Sequence, residues 1–254
     1  MGLYALTGGA TGIGAAIKQQ LIDQGHQLIV VDIKDADIIA DLATAAGRSK
    51  AIAAIKAAAP DGLDGFVPCA GIAPVVTPPS LIVSVNFFGA INLVESLKPL
   101  LVKRSGSVVL VSSNSAPMGS DEQTVDAMLE GDETGACSRA DEVAIGQSAY
   151  GASKLALALW MRRNTADYAQ TGIRLNAVAP GVIQTPLTKQ VEADPEYGQL
   201  IKDFAASIPV GRSGTPQDIA NAVCFMLSDK ASFMAGSVIF VDGGHDAMLR
   251  SDQF

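Results

Sequence analysis

Short apolar runs alternate along the chain with longer segments in which apolar residues recur at helical spacing. The short runs are rich in Val, Ile and Leu, which is typical of strands that a parallel sheet buries on both faces. The longer segments have the length of helices that cross over between parallel strands. This alternation predicts an α/β protein with a doubly wound parallel sheet and helices on both faces. The predicted strands are 3–6, 28–31, 65–69, 108–111, 174–178 and 238–241, and the predicted helices are 13–24, 44–59, 81–103, 149–168, 191–206 and 216–228.

Residues at the ends of these helices support the assignment. Thr44 precedes an Ala-rich run and predicts an N-cap, while Pro216 suits the first turn of the last helix. Gly25 and Gly172 follow predicted helix ends, where a left-handed cap favours glycine. Neither a repeat nor a low-complexity linker divides the chain, so we expect a single domain over residues 1–254.

One segment breaks the alternation. Residues 116–146 are polar and acidic, with predicted helices at 122–129 and 138–145, and they separate the fourth predicted strand from the helix that should follow it. Such an insertion is either a solvated excursion or a wall of the substrate cleft that changes how subunits meet. The sequence leaves both interpretations open.

Composition and charge exclude several classes of protein. A net charge of −8 without a long Lys/Arg cluster argues against nucleic-acid binding. The three cysteines, Cys69, Cys137 and Cys224, lie far apart without C-x-x-C spacing, so we expect neither disulfides nor zinc, and a cytoplasmic location. We expect no targeting segment, and no apolar stretch that approaches the length needed to span a membrane.

A glycine-rich turn between the first strand and the first helix predicts a dinucleotide site. The run Thr7–Gly14 reads TGGATGIG, and glycine there lets the backbone approach a pyrophosphate that faces the helix N-terminus. The second strand is followed by Asp32, where a carboxylate accepts hydrogen bonds from the adenosine ribose. That carboxylate repels a 2′-phosphate and favours NAD over NADP, although nearby Lys34 leaves NADP as the alternative.

A tyrosine and a lysine at helical spacing predict the catalytic pair. Tyr150 and Lys154 lie four residues apart, so a helix presents both on one face. A neighbouring ammonium stabilises a phenolate and is expected to lower the tyrosine pKa, which suits general acid–base chemistry. The fourth strand ends at Ser112 and Ser113, at the edge of the sheet where the cofactor is expected.

With these motifs in this order, the chain resembles the short-chain dehydrogenases/reductases over nearly its full length. The resemblance implies a single-domain Rossmann fold with strand order 3-2-1-4-5-6-7. It also implies that Tyr150 is the acid/base, that Ser113 orients the substrate oxygen and that Asn86 fixes a water in a proton relay. Lys154 would lower the tyrosine pKa and hold the nicotinamide ribose. The family pattern T-G-x-x-x-G-x-G is met by Thr7, Gly8, Gly12 and Gly14.

The same resemblance implies further cofactor-binding residues. Asp41 and Leu42 match the adenine-side pair, and Ala70 and Gly71 match an N-A-G turn whose asparagine is replaced by Cys69. That replacement puts one structural hydrogen bond in doubt. The full expected set is Gly8, Thr11, Gly12, Ile13, Gly14, Asp32, Asp41, Leu42, Ala70, Gly71, Tyr150, Lys154, Pro180, Gly181, Ile183, Thr185 and Thr188.

Within the family, the chain closely resembles the bacterial 3α-hydroxysteroid dehydrogenase/carbonyl reductases. The similarity rests on residues 33–42, 69–71 and 83–86, the insertion before Tyr150, and residues 242–247 with the Gln253-Phe254 tail. It implies NAD-dependent interconversion of a 3α-hydroxysteroid and its 3-ketone, and reduction of non-steroid carbonyls. Residues 187–209 could form a substrate lid with an apolar wall. Candidate wall residues are Leu187, Val191, Ile201, Phe204 and Ile208.

Two other functions stay open. One is a short-chain dehydrogenase that acts on a non-steroid secondary alcohol or ketone. The other is an NAD(H)-binding regulatory protein without turnover, which the intact Ser113, Tyr150, Lys154 and Asn86 disfavour. A metal site is not expected, because His26 and His245 are the only histidines and have no ligand spacing.

The insertion also affects the expected oligomer. The family commonly pairs through the helices that precede and carry the catalytic tyrosine, and a long insertion there would obstruct this packing. We therefore expect a homodimer formed through another surface, near the last helix and strand.

Overall fold

The computed structural model describes residues 1–253, and Phe254 of the C-terminal tail lies outside the described residues. The described part holds one seven-stranded parallel sheet in the order β3-β2-β1-β4-β5-β6-β7, which confirms the expected topology. The six predicted strands are confirmed to within two residues at each end, and the two-residue edge strand β3 was not predicted. The strands are β1 Leu3–Thr7, β2 Gln27–Asp32, β3 Ile38–Ile39, β4 Gly65–Pro68, β5 Ser107–Val111, β6 Arg174–Pro180 and β7 Val238–Val241.

The helices that connect these strands begin and end largely where their caps predict. The Thr44 side chain accepts a hydrogen bond from the Gly47 N–H at 3.0 Å, and Gly25 and Gly172 take φ values of 82° and 84°. The helices are α1 Gly12–Asp23, α2 Ala45–Ala58, α3 Pro79–Val83, α4 Gly89–Val102, α5 Glu122–Glu130, α6 Glu133–Val143, α7 Gly146–Gln170, α8 Pro186–Glu192, α9 Gly198–Ala206, α10 Pro216–Leu227 and α11 His245–Leu249.

Two predicted helices have different bounds in the structure, and one short helix was not predicted. The helix predicted at 191–206 is divided into α8 and α9, because Asp194 begins a turn in which its Oδ1 accepts from the N–H groups of Glu196 and Tyr197. Helix α6 begins at Glu133 rather than at 138, since Asp132 caps it through the Gly135 N–H. The short helix α11 was not predicted.

Residues 79–102 form a helix that a π-helical turn, Ser84–Phe88, interrupts between α3 and α4. The expectation that no apolar stretch is long enough to span a membrane is wrong on length and composition, because Pro79–Val102 meets both criteria. In the structure, 61% of the most apolar 18-residue stretch of this helix is buried inside the protein. The side chains of Leu93 and Leu97 are fully buried in the core, so this stretch packs as a core helix.

The core lies on both faces of the sheet. On one face Ile55 of α2, Leu97 of α4 and Leu157 of α7 belong to one hydrophobic cluster, and on the other Ile17 of α1 and Ile219 of α10 belong to a second. Because all strands are parallel, their carboxyl ends meet at one edge of the sheet, where α/β proteins of this type bind ligands.

The insertion packs against this core rather than extending into solvent. Met128 of α5 and Ala140 of α6 are buried and belong to the same cluster as α4 and α7. The Ser80 N–H at the start of α3 donates to Asp141 of α6 at 2.8 Å, and the Asp121 N–H donates to Ser148 of α7 at 3.2 Å. The insertion therefore covers the outer side of α3 and of the start of α7.

Asp121 connects the two helices of the insertion. Its carboxylate caps α5 by accepting from the Thr124 N–H at 2.9 Å, and Arg139 of α6 donates to it through Nη2 at 2.8 Å and through Nε at 3.1 Å. The Arg139 guanidinium holds the pKa of the Asp121 carboxyl well below its usual range.

We expect Asp121→Ala to lower the free energy of unfolding by about 1–2 kcal/mol, because the variant loses an N-cap and a bidentate ion pair. Urea denaturation measures this difference. The matched control is Asp126→Ala, an exposed position on the same helix, for which we expect about 0 kcal/mol. Equal losses in the two variants would contradict the connecting role of Asp121.

Candidate active site

The turn between β1 and α1 forms the floor of a cleft at the carboxyl ends of the strands. Gly8 has a φ of 74°, and a Cβ there would lie 2.7 Å from the Ala70 backbone, so a larger residue would be strained on both counts. A Cβ on Gly14 would lie 2.0 Å from the Gly8 carbonyl oxygen. Glycine at these two positions lets the start of α1 pack directly on the turn.

The N-terminus of α1 opens into this cleft. Thr11 precedes the helix in an extended conformation, and no side chain among residues 1–253 caps it there. Thr11, Gly12, Ile13 and Gly14 all line the cleft. Uncapped N–H groups at a helix N-terminus bind anions, so this cradle fits the pyrophosphate of a dinucleotide.

Asp32 ends β2 at one side of the cleft. Its Oδ2 accepts from the Ala10 N–H at 3.0 Å and its Oδ1 accepts from the Ile33 N–H at 2.7 Å, which fixes the carboxylate between the strand and the glycine turn. Asp41 and Leu42 line the same side. A carboxylate held here can accept hydrogen bonds from ribose hydroxyls, as the sequence predicts.

The opposite side of the cleft is formed after β6. Thr185 caps α8 by accepting from the Thr188 N–H at 3.2 Å, and the Thr188 hydroxyl donates to the Ile183 carbonyl at 2.5 Å. A Cβ on Gly12 would lie 3.4 Å from the Thr185 side chain, so the start of α8 stands across from the glycine turn. Pro180 and Gly181 line the cleft between these elements.

Tyr150 and Lys154 lie one turn apart on α7 and face the cleft together with Ser113. The Lys154 ammonium lies 5.5 Å from the centroid of the Tyr150 ring and donates to the Val111 carbonyl at 2.9 Å. The Ser113 hydroxyl accepts from the N–H and the hydroxyl of Ser115, at 3.1 and 3.0 Å. These contacts fix Lys154 and Ser113 beside the tyrosine at the end of β5.

Burial dominates the ionisation of this pair. It raises the pKa of the Tyr150 phenol, which a hydrogen bond with Ser113 partly offsets, and it lowers the pKa of Lys154 to about 8. The direction for Tyr150 is opposite to the sequence-based expectation, because desolvation of the buried phenolate is the largest effect on its pKa. Burial likewise raises the pKa of Cys69 to about 12, which makes it an unreactive thiol.

Asn86 lies in the π-helical turn between α3 and α4, behind the cleft wall. Its Oδ1 accepts from the Ile72 N–H at 2.9 Å and its Nδ2 donates to the Ile72 carbonyl at 3.2 Å. The side chain thus ties the turn after β4 to the helix. A Cβ on Gly71 would lie 3.3 Å from Asn86 Oδ1 and 3.8 Å from Lys154 Nζ, so these two side chains flank Gly71.

The structure brings all seventeen predicted cofactor-binding residues, together with Ser113, around one cleft of about 420 Å³. Asn86 does not line it, and of the five candidate wall residues only Leu187 does, among the residues that the structure describes. Val191 and Ile208 are buried instead in the protein interior. Sequence reasoning did not single out Ile72, Val85 or Pro186, which line the cleft as apolar neighbours of predicted residues.

Comparison with known proteins agrees with this geometry. A model of the short chain dehydrogenase family matches residues 4–125, and a second model, described as enoyl-(acyl carrier protein) reductase, matches residues 134–246. The chain is 40% identical to the 3-alpha-hydroxysteroid dehydrogenase/carbonyl reductase of Comamonas testosteroni over 100% of both chains. It is 32% identical to the cis-4-hydroxycyclohexanecarboxylate dehydrogenase of Sinomonas cyclohexanicum over 96% of both chains.

Among solved structures, the 3-alpha-hydroxysteroid dehydrogenase of Pseudomonas sp. B-0831, complexed with NADH, superposes with a TM-score of 0.96. That protein is 42% identical to this chain, and the match covers 99% of this chain and 100% of the other. With its fold, its cleft and these full-length relatives taken together, this chain belongs to the short-chain dehydrogenase/reductase family.

Proposed function

We propose that this protein is an NAD-dependent oxidoreductase that interconverts a 3α-hydroxysteroid and the corresponding 3-ketosteroid, and that it also reduces non-steroid carbonyls. The observation that carries the proposal is the joint placement of Ser113, Tyr150 and Lys154 in the cleft that the predicted cofactor-binding residues line. The full-length similarity to two 3-alpha-hydroxysteroid dehydrogenases supports this class of substrate.

The residues around the cleft fit NAD. The uncapped N-terminus of α1 would hold the pyrophosphate, and Asp32 would accept hydrogen bonds from the adenosine ribose. The Ile183 backbone would offer hydrogen-bonding groups to the carboxamide, and Thr185 and Thr188 would lie near the nicotinamide and the pyrophosphate. When bound, the cofactor supplies a nicotinamide ring that accepts a hydride from the alcohol carbon.

The proton is handled by residues of the chain itself. In alcohol oxidation the Tyr150 oxygen takes the hydroxyl proton, and in ketone reduction it returns that proton to the carbonyl oxygen. Ser113 holds the substrate oxygen beside the phenol. Lys154, fixed by the Val111 carbonyl, would hold the nicotinamide ribose and offset the cost of a buried phenolate. Asn86 would place the water that passes the proton to solvent.

The segment 187–209 is the proposed substrate lid. Leu187 faces the cleft, whereas the far end of the segment is anchored to α11, where the Ser207 hydroxyl and His245 Nε2 lie 2.9 Å apart. Phe204 packs on the His245 ring with 4.0 Å between centroids. We propose that this segment closes over the tyrosine when a flat sterol binds with its hydroxyl at the catalytic end, with Leu187 as its apolar contact.

A substrate panel tests the steroid assignment. NADH formation is measured with NAD and androsterone, beside its 3β epimer and a set of simple secondary alcohols. We expect turnover of the 3α epimer and at least about tenfold lower kcat/KM for the 3β epimer, whose hydroxyl points away from Tyr150. Turnover confined to small alcohols would contradict the steroid assignment but would still support an NAD-dependent oxidoreductase activity.

A second candidate substrate is a non-steroid cyclic secondary alcohol. It is favoured by the full-length similarity to a cis-4-hydroxycyclohexanecarboxylate dehydrogenase. The same panel, extended by cis- and trans-4-hydroxycyclohexanecarboxylate, separates this alternative from the steroid.

The two reaction directions should respond oppositely to pH. The raised pKa of Tyr150 keeps its phenol protonated at neutral pH, so ketone reduction has its acid in place there. Oxidation needs the phenolate, whose fraction grows about tenfold per pH unit below the pKa. We therefore expect kcat/KM for oxidation to rise between pH 6 and 8, the range below the Lys154 pKa of about 8 in which its ammonium stabilises the phenolate, while that for reduction stays level or falls. A flat oxidation profile would contradict a general base with a raised pKa.

We also propose a homodimer formed through α10 and β7. The insertion covers α3 and the start of α7, where a partner helix would otherwise pack. Strand β7 is a half-buried edge strand, and nearby Phe225 and Phe233 expose large apolar surface. Sedimentation equilibrium at twice the chain mass is expected, and a tetramer would contradict the proposal.

The three free cysteines support a cytoplasmic location.

A further inference from the structure

A buried arginine connects the insertion to the adenine side of the cleft. Arg48 of α2 is only 4% exposed, and its Nη1 donates to the Leu42 carbonyl at 3.2 Å. Its Nη2 donates to Glu133, in the first turn of α6, at 2.6 Å. Leu42 itself lines the cleft beside Asp41. One guanidinium thus joins a cleft-lining backbone group to a helix of the insertion.

The loop that Arg48 holds has little room to adjust. A Cβ on Gly47 would lie 1.9 Å from the Asp41 carbonyl oxygen, so α2 packs directly against this loop. The Thr44 hydroxyl also donates to that carbonyl at 3.1 Å. A small displacement of Arg48 would therefore shift the backbone of Asp41 and Leu42 together.

Glu133 is the carboxylate that neutralises Arg48, as an ion pair with 2.6 Å between Nη2 and Oε2. An arginine buried to this extent is costly without a partner, and removing the partner leaves an uncompensated charge in the interior. The same face of α6 is held one turn further along, because Cys137 Sγ lies 3.3 Å from the Ser84 hydroxyl at the start of the π-helical turn. The insertion is therefore rigidly placed to hold Arg48.

We infer that Arg48 and Glu133 are positioning residues for the adenine side of the dinucleotide, so that helix α6 of the insertion sets cofactor affinity. The inference rests on the proposed function only in that the cleft binds a dinucleotide. The insertion then serves cofactor binding in addition to covering α3 and α7.

Glu133→Gln tests this inference because it removes the charge and keeps the shape. We expect the NADH dissociation constant, measured by fluorescence titration, to rise about tenfold. Binding of reduced nicotinamide mononucleotide, which lacks the adenosine, should be unchanged. Glu142→Gln is the matched control, since Glu142 lies exposed on the same helix and pairs with Arg139 instead; it should bind NADH as the wild type does.

A double-mutant cycle with Arg48→Met tests whether Glu133 affects NADH binding through Arg48 or through a general destabilisation of the insertion. If Glu133 acts through Arg48, Glu133→Gln adds no further loss in the Arg48→Met background. Unchanged NADH affinity in Glu133→Gln, or equal weakening of NADH and the mononucleotide, would overturn the inference alone. A wild-type protein that binds no NADH would refute the proposed function and the inference with it.

Discussion

Tyr150→Phe should lower kcat by about 10³-fold in both reaction directions, because the phenylalanine fills the same space without the oxygen that moves the proton. The cleft around it is held by other contacts, among them the bond from Lys154 to the Val111 carbonyl and the packing of Gly8 on Ala70. NADH affinity should therefore stay within about threefold of the wild-type value.

Tyr168→Phe is the matched control for this variant. Tyr168 is buried on the same helix, where its ring packs on Trp160 and under the Lys98 ammonium. It lies far along the chain from the cleft-lining residues of α7, so its variant should keep full activity. Steady-state rates with the 3α-hydroxysteroid and the 3-ketone measure both variants. A Tyr150→Phe protein with more than about a tenth of wild-type kcat would exclude the phenol as the essential acid/base.

Asp32→Ala should reverse much of the preference for NAD. The variant loses charge-assisted hydrogen bonds to the ribose, so kcat/KM for NAD should fall by about 10²-fold. Removal of the carboxylate also relieves repulsion of a 2′-phosphate, and Lys34 already lines the same part of the cleft. We expect kcat/KM for NADP to rise about tenfold.

Asp32→Asn separates the electrostatic effect of the Asp32 carboxylate on the cofactor from its structural role in the glycine turn. The carboxylate also fixes the glycine turn by accepting from the Ala10 N–H at 3.0 Å, and the asparagine keeps an oxygen for that bond. Asp32→Asn should therefore gain NADP activity as Asp32→Ala does, with a smaller loss for NAD. If NADP activity stayed unchanged in both variants, electrostatic exclusion by Asp32 would be ruled out.

The elements that the sequence predicts well are those fixed by local chemistry. The β1–α1 turn is defined by Gly8 and Gly14, where any Cβ would meet backbone atoms. The ends of α1 and α7 are predicted because Gly25 and Gly172, which follow them, take the left-handed conformation. The spacing of Tyr150 and Lys154 is also a local feature, because residues four apart in a helix lie on the same face, here the face of α7 that lines the cleft.

Features that depend on distant contacts are not readable from the sequence. The ion pair of Arg48 and Glu133 joins residues 85 positions apart, and nothing in either local sequence indicates it. The pKa of Tyr150 is set by burial, which only the assembled fold determines. Apolar residues at helical spacing in 187–209 suggested a substrate wall, yet Val191 and Ile208 pack inward and only Leu187 meets the cleft within residues 1–253.

Helix interruptions were missed for a related reason. The π-helical turn around Asn86 lies within an apolar pattern that reads as one continuous helix, and π-turns leave no compositional mark. The break between α8 and α9 does have a mark in the sequence, because Pro195 follows Asp194 and an Asp-Pro pair favours a turn, but the helical spacing of the apolar residues on either side hid it. The two-residue strand β3 is too short to produce an alternating pattern.

Isotope transfer from the substrate tests the central claim most directly. A 3α-hydroxysteroid that carries deuterium at C3 is oxidised by the wild-type protein with unlabelled NAD, and the reduced cofactor is analysed by mass spectrometry. If Tyr150 and Ser113 hold the alcohol against the nicotinamide as proposed, the NADH formed carries the deuterium. NADH without the label, or no NADH from any alcohol tested, would contradict direct hydride transfer in this cleft.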